Sequence, residues 1–92
     1  SLKGDFYMFN RIMLLGTQDV KKFVDLANTV KSDVRLMNRS RNYVVDGKSY
    51  LGVLLAATEW KDDTWIQCDE DIYSLMEYFI VICADDAVNV HE

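Results

Sequence analysis

The chain has no proline, one histidine and two cysteines among its 92 residues. It also has no low-complexity linker and no internal repeat, so nothing in it marks a boundary between domains. We expect one domain over residues 1–92, with a core from about residue 5 to 83 and a C-terminal tail over 84–92. The two thiols, Cys68 and Cys83, are too few for a disulfide scaffold and form no C-x-x-C pair. We expect both to be reduced and buried among apolar residues.

Positive charge is scarce, because ten Lys and Arg residues stand against fifteen Asp and Glu residues and the net charge is −5. A nucleic-acid-binding domain normally carries a basic face, so this composition argues against nucleic acid as a partner. The bases concentrate in the first half of the chain and the acids in the second. Such a bipolar surface would steer an acidic protein partner onto the basic face, although two solvated faces that only keep the domain soluble are the simpler explanation.

No apolar run is long enough to span a membrane, and no signal peptide is visible, so we expect a cytoplasmic protein without membrane association. The acids Asp62, Asp63 and 69–71 lack the spacing of an EF-hand loop, which needs a glycine and a terminal glutamate. We predict an exposed loop over 60–63 and a helix start at 69–71 instead. The sequence indicates no metal site and no cofactor.

Hydrophobic periodicity predicts seven elements in the order β-α-β-β-α-β-α. Thr17 is expected to cap the first helix, and the acids at 69–71 suit the positive end of the last helix. Amphipathic helices and strands of this kind predict a two-layer sandwich, in which helices cover one face of the sheet and the other face is more open. The predicted strands are 5–14, 34–37, 42–45 and 64–68; the predicted helices begin at 17, 49 and 69, and the last has ordinary length and includes 80–82.

The most informative segment is 43–55, where a β-branched and aromatic run stops at Asp-Gly and is followed by Lys-Ser and a compact apolar run. This pattern is typical of a strand, a turn, a helix cap and a short helix. Ser49 stands where a hydroxyl would accept a hydrogen bond from the free amides of the helix start, and a phosphate on it would meet the same amides. The apolar side of this helix is expected to consist of Leu51, Leu54 and Leu55.

The element order and the local motifs resemble the HPr family, the histidine-containing phosphocarriers of the bacterial phosphotransferase system, over roughly residues 5–82. The best match is the run Lys48-Ser49-Tyr50-Leu51-Gly52-Val53-Leu54, which is similar to the family's segment around its regulatory serine. The resemblance implies an α+β fold of HPr type. In that fold a mostly antiparallel four-stranded sheet carries the helices on one face, as an open-faced two-layer sandwich.

The chain departs from the family at the active centre, which is a Gly-x-His-x-Arg-Pro stretch at the start of the first helix. Here Gly16 or Thr17 falls at the histidine, and Gln18 falls near the arginine. Neither glycine nor threonine can replace an imidazole that accepts and releases a phosphoryl group. The single histidine, His91, lies next to the C-terminus, where we expect a solvated side chain without catalytic geometry. We therefore expect no enzymatic activity.

Two candidate sites follow from the resemblance. Ser49 matches a serine that a dedicated kinase phosphorylates in some family members, and Lys48 beside it could hold the added charge. A plain N-cap worth on the order of 1 kcal/mol is the simpler explanation for Ser49. The surface around the short helix docks partner proteins in the family, and an apolar stripe there is equally often part of the core. The candidate partner surface consists of Lys48, Tyr50, Leu51 and Leu54.

The sequence thus predicts a non-catalytic regulatory or interaction protein related to the sugar phosphotransferase system. It would present the surface around Ser49 to a protein partner, under control by serine phosphorylation. Two alternatives stay open: a small-ligand or protein-binding module that shares only the fold, and a phosphocarrier with an unorthodox acceptor.

Overall fold

The computed structural model describes residues 8–82 of the chain. They form an α+β fold with a four-stranded antiparallel sheet and three helices, which confirms the predicted fold class at this level. The strands are β1 (Met8–Ile12), β2 (Val34–Asn38), β3 (Tyr43–Asp46) and β4 (Thr64–Cys68). The helices are α1 (Thr17–Ala27), α2 (Tyr50–Leu55) and α3 (Tyr73–Met76). A π-helical turn, Ala56–Trp60, continues α2, and a 3-10 turn, Glu77–Phe79, continues α3.

The four strands lie in the order β1-β4-β2-β3, and every neighbouring pair is antiparallel. Leu36 in the middle of β2 lies opposite Ile66 on β4 and opposite Val45 on β3. Met8 at the start of β1 lies opposite Cys68 at the end of β4. Because residues directly opposite each other share a face, the side chains alternate in phase across the whole sheet.

One face of the sheet and the inward sides of the helices form a single core. Phe23 on α1 and Phe79 after α3 are almost fully buried and meet edge to face, with ring centroids 5.4 Å apart. Burial of an apolar side chain of this size contributes about 1.5–3 kcal/mol. Cys68 is a free thiol in this core, as its apolar surroundings predict. The other fully buried apolar residues of the strands are Ile12, Val34, Leu36 and Ile66, and those of α1, α2 and α3 are Val20, Ala27, Val53 and Met76.

The opposite face of the sheet carries an aromatic stack. The rings of Phe9 on β1 and Trp65 on β4 have centroids 5.2 Å apart and planes inclined by 16°. The guanidinium of Arg39 lies 4.8 Å from the centroid of the Trp65 ring. As the alternation in β4 predicts, Trp65 and Gln67 share this face. The three stacked groups shield each other, which reduces the apolar area that this face shows to water.

The last helix is much shorter than predicted. The 3-10 turn after α3 ends at Phe79, and Ile80 already has an extended backbone, with φ −73° and ψ 135°. Ile80 bridges to Ile12, and the Val81 N–H donates to the Arg11 carbonyl at 2.9 Å, so this segment pairs with the outer edge of β1. The prediction of a helix through 80–82 is wrong, because these β-branched residues gain a strand partner that a sequence pattern does not reveal.

Four predictions concern residues outside the described range of 8–82. They are the start of the first strand at residue 5, the burial of Cys83, the tail over 84–92 and the solvated side chain of His91. These stay predictions.

Candidate functional site

Ser49 is the N-cap of α2. Its backbone is extended, with φ −98° and ψ 121°, and its Oγ accepts a hydrogen bond from the Gly52 N–H at 3.2 Å. The Val53 N–H donates to the Ser49 carbonyl at 2.9 Å, and the Ser49 N–H donates to the Asp46 carbonyl at 3.1 Å. These bonds close the turn between β3 and α2 and satisfy part of the free backbone at the helix start. The predicted cap is therefore present, while phosphorylation of the half-buried Ser49 stays a prediction.

Two glycines bring this turn close to the sheet. The Gly47 N–H donates to the Val34 carbonyl at 2.6 Å, and a Cβ on Gly47 would lie 2.8 Å from both Val34 Cγ1 and that carbonyl oxygen. A Cβ on Gly52 would lie 3.2 Å from the Asp46 carbonyl oxygen. Gly47 is therefore required by the close approach of two backbones, whereas Gly52 has slightly more room.

Lys48 binds the scaffold instead of lying free beside Ser49. Its Nζ donates to the Val30 carbonyl at 2.6 Å, and its side chain is half-buried. The side-chain amide of Asn28 donates to the Lys48 carbonyl at 3.2 Å. Lys48 is therefore held by the scaffold in this structure, and its role beside a phosphate on Ser49 or at a partner surface stays a prediction. The lysine connects the start of α2 to the loop after α1.

Helix α2 exposes most of its large apolar side chains. The exposed fraction is 75% for Leu51, 48% for Leu55 and 42% for Tyr50. Leu54 is half-buried and packs against the core. The sequence leaves open whether the apolar side of this helix is core or surface, and the structure exposes Leu51 and Leu55 while Leu54 packs against the core. Leu51 and Leu55 lie four residues apart and thus share one side of the helix.

The inward side of α2 and its π-helical continuation consists of Val53, Ala56 and Trp60, all of them buried. Their spacing of three and four residues is as helical as that of the leucines, so periodicity alone does not choose between the two sides. The small Ala56 lets the helix approach the sheet closely. The predicted exposed loop at 60–63 begins only after Trp60, which is 6% exposed.

The stretch that replaces the family's active centre is exposed at the start of α1. Gly16 takes the N-cap position with φ 112° and ψ 178°, a conformation that glycine adopts far more easily than other residues. Thr17 is the first helical residue, so the prediction that it caps the helix is wrong. Asp19 accepts the Leu15 N–H at 2.8 Å through its Oδ2, in the manner of a capping box. Gln18 is exposed, and the stretch lacks the imidazole that accepts the phosphoryl group in the family that the sequence resembles.

Two acids that were predicted to be solvated connect loops. The Oε2 of Glu70 accepts the Ser32 hydroxyl at 2.7 Å and the Ser32 N–H at 3.1 Å, and these bonds lower the pKa of Glu70. Asp63 accepts the Ser40 N–H and the Trp65 indole N–H, each at 3.0 Å. The pKa of Asp63 is lowered, mainly by a hydrogen bond from the Ser40 hydroxyl. Sequence spacing gave no signal of the bonds from Ser32 and Ser40, since these join residues 38 and 23 positions apart.

A shallow groove of about 320 Å³ lies along the polar side of α1. Lys21 pairs with Asp25 at 3.1 Å, and the Nζ of Lys22 lies 4.0 Å from the centroid of the Tyr78 ring. The Asp25 carboxylate thus offsets the charge of Lys21, whereas the neutral Tyr78 ring leaves Lys22 charged. The groove is lined by Gln18, Lys21, Lys22, Asp25 and Leu26.

Within residues 8–82, no helix is long and apolar enough to cross a membrane. In the same part of the chain, no group of three or more His, Cys, Asp or Glu residues could hold a metal ion. Comparisons with family models, with curated proteins and with solved structures give no match. The evidence for a function is therefore the geometry of α2 and its cap.

Proposed function

We propose that this chain is a non-catalytic, HPr-like regulatory or interaction domain related to the sugar phosphotransferase system. It binds a protein partner through the exposed side of α2, and phosphorylation of Ser49 controls that binding. One observation carries the proposal: Leu51 and Leu55 are exposed one turn apart on the helix that Ser49 caps. Large apolar residues grouped on one exposed element are typical of protein-binding surfaces.

The architecture supports the HPr-like part of the proposal. A four-stranded antiparallel sheet with helices packed on one face agrees with the open-faced sandwich that the resemblance implies. One feature differs from the family's pattern: the start of α1 lacks the histidine. This difference removes the family's phosphoryl acceptor and leaves the surface of α2 intact, so we favour a binding role.

The partner surface differs from the one that the sequence indicates. Tyr50, Leu51 and Leu55 are accessible, whereas Lys48 and Leu54 are tied to the scaffold. Such a patch fits a partner with an apolar side chain that packs between the two leucines. Full burial of one leucine contributes about 1.5–3 kcal/mol before the cost of association is subtracted.

A phosphate on Ser49 would change this surface electrostatically. It adds a charge of roughly −1.5 to −2 at neutral pH, next to the backbone amides at the start of α2. The Ser49 Oγ already accepts the Gly52 N–H, so the helix start faces the added group. The hydrogen bond to the neutral Val30 carbonyl leaves the Lys48 ammonium charged, so it partly offsets the added charge, and the remaining negative charge acts on whatever docks at Leu51. An apolar partner would bind less tightly and a cationic partner more tightly.

Incubation with an HPr serine kinase and ATP, followed by mass spectrometry, tests the control by phosphorylation. One phosphate is expected on Ser49 and none on the Ser49→Ala variant. Ser74→Ala is the matched control, because Ser74 is an exposed serine on α3 and its removal should leave the labelling unchanged. If Ser49 stays unmodified and Ser49→Ala changes only stability, the serine is a cap and the regulatory part of the proposal is wrong.

Titration of the ¹⁵N-labelled chain with proteins of the phosphotransferase system tests the binding surface. Amide shifts should centre on α2, and Leu51→Ser with Leu55→Ser should weaken binding at least about tenfold, the effect of about 1.4 kcal/mol. Ile82→Ser, at an exposed apolar position after the 3-10 turn, is the control. Equal affinity of both variants would exclude α2 as the contact surface.

Labelled phosphoenolpyruvate with the general phosphotransfer enzyme tests the alternative of an unorthodox phosphocarrier. The proposal predicts no transfer to this chain. Transfer of label would show a working acceptor and replace the proposal with that alternative.

A further inference from the structure

The two edges of the sheet differ in whether their outer backbone groups are hydrogen-bonded. On the β1 side, the Met13 N–H donates to the Phe79 carbonyl and the Val81 N–H donates to the Arg11 carbonyl, each at 2.9 Å. On the β3 side, no residue of 8–82 pairs with the outer edge, since β3 is paired only with β2. A sheet edge with free backbone groups is a template for another extended chain unless it is blocked. In β3, no lysine, proline or bulge blocks it.

The register shows which backbone groups point outward. Gly47 lies directly opposite Val34 and donates its N–H to the Val34 carbonyl, which makes them a hydrogen-bonded pair. Such pairs alternate along an antiparallel ladder, so Val45 points its backbone groups toward β2. Val44 and Asp46 therefore point theirs away from the sheet. The Asp46 carbonyl is taken by the Ser49 N–H, which leaves three groups for an added strand: the Val44 N–H, the Val44 carbonyl and the Asp46 N–H.

A depression of about 300 Å³ adjoins this edge, and its charge is negative. Arg35 is its single guanidinium, and it lies 3.7 Å from Asp33 and 3.6 Å from Asp69. Asp46 lies opposite Arg35 in the register and is exposed. Two carboxylates thus pair with the guanidinium, and the carboxylate of Asp46 lies on the strand position opposite it. Val44, which is 50% exposed, adds an apolar wall beside them. The depression is lined by Asp33, Val34, Arg35, Val44, Val45 and Asp46.

We propose that the outer edge of β3 binds an extended basic segment of a partner protein as a fifth, antiparallel strand. Main-chain hydrogen bonds to Val44 and Asp46 hold the segment, and the depression selects its side chains. A second copy of this chain fits less well, because pairing two β3 edges brings together two domains of charge −5, each with acids at the contact. This surface is separate from the exposed side of α2, and the inference does not depend on the function proposed above.

The register fixes the preferred sequence of the segment. In antiparallel pairing, the residue opposite Val44 follows the residue opposite Asp46 by two positions in the partner, and both lie on the open face. An apolar residue suits the position facing Val44. A lysine or arginine suits the position facing Asp46, because its aliphatic stem can lie along the sheet while its charge meets the carboxylate. The expected pattern is basic, any residue, apolar.

A seven-residue peptide, acetyl-Thr-Lys-Thr-Val-Thr-Val-Thr-amide, is the probe. Added to the full ¹⁵N-labelled chain, it should shift the amide signals of β3 and slow hydrogen exchange at Val44 and Asp46, whose N–H groups point outward. The amides of Tyr43 and Val45, already in the ladder, should change little in exchange. Replacing the peptide's lysine by glutamate should weaken binding at least about tenfold, and added salt should weaken the lysine peptide more than the glutamate peptide.

Val44→Pro is the decisive variant, because proline is tolerated where the N–H faces away from the sheet and it removes the outward donor. It should abolish the peptide effects, while Val44→Ile, which keeps both the N–H and the apolar side chain, retains them. Asp46→Asn keeps the Oδ1 that accepts the Lys48 N–H and should reduce the preference for lysine over glutamate. Shifts outside β3, equal binding of both peptides, or binding by Val44→Pro would each overturn the proposal. So would a dimer of the free chain that Val44→Pro converts to a monomer, since a second copy would then be the occupant.

Discussion

The Nζ of Lys48 donates to the Val30 carbonyl at 2.6 Å, across 18 positions of the chain. The side-chain amide of Asn28, at the end of α1, donates a hydrogen bond to the Lys48 carbonyl. These bonds join the region just after α1 to the residue just before α2. They fix the direction in which α2 leaves the sheet, and with it the position of the exposed leucines.

Lys48→Met should lower the free energy of unfolding by about 1 kcal/mol, since the Val30 carbonyl loses its donor while the apolar stem of the side chain is kept. Urea denaturation measures the change. Lys31→Met is the matched control, because Lys31 is an exposed lysine in the neighbouring loop. An equal effect of the two substitutions would show that the bond to Val30 contributes nothing measurable.

Ser49→Ala should destabilise the domain by about 1 kcal/mol, the usual cost of removing an N-cap hydroxyl. Ser49→Thr and Ser49→Asp should recover most of it, because each supplies an oxygen for the Gly52 N–H. Thermal unfolding ranks the three variants. A neutral Ser49→Ala would mean that water replaces the hydroxyl without loss.

Gly47→Ala should cost about 1–3 kcal/mol, because the new methyl group would lie 2.8 Å from Val34 Cγ1 and from the Val34 carbonyl oxygen. Gly52→Ala is the comparison. Its methyl group would lie 3.2 Å from the Asp46 carbonyl oxygen, and alanine favours the helix by roughly 1 kcal/mol over glycine, so the two effects should largely cancel. Equal losses in the two variants would contradict the close approach at Gly47.

The decrease in the free energy of unfolding at acidic pH should depend on Asp63. Its pKa is lowered in the folded state, mainly by the Ser40 hydroxyl, so its contribution is complete above the unfolded pKa of about 3.9. That contribution is lost as the pH falls from about 4 through the lower folded pKa. Asp63→Asn should therefore make the decrease in stability below about pH 4 shallower, as measured by urea unfolding at a series of pH values.

Glu70 should behave in the same direction, because the Ser32 hydroxyl and N–H lower its pKa. Glu70→Gln should flatten the pH dependence below an unfolded pKa of about 4.3. Asp25→Asn is the control, since Asp25 only forms an exposed pair with Lys21 on α1. Identical profiles for all three variants would mean that the serine bonds do not persist in solution.

Hydrophobic periodicity predicts the features that depend on a single helix or strand. The five residues of β4 alone predict its alternation, with Ile66 and Cys68 inward and Trp65 outward. The local sequence likewise predicts the Ser49 cap. These features depend on local spacing and on hydrogen bonds within three residues.

The errors arise where the conformation or burial of a residue depends on contacts with another part of the chain. Ile80 is extended because β1 offers it a strand partner, and Trp60 is buried because the π-helical turn carries it inward. Leu51 is exposed although its neighbours are apolar, because Val53 takes the inward side of the helix. The Gly16 cap reflects a backbone conformation that composition alone does not indicate.

The pairing of Ile80 with Ile12 limits how the sheet can be extended. Within residues 8–82, the segment around Ile80 occupies part of the outer edge of β1, so less backbone is free there than on a bare edge. Repeated head-to-tail stacking of strands, the route to fibres, would need both edges free. The asymmetry of the two edges therefore disfavours growth of an assembly beyond its first added strand.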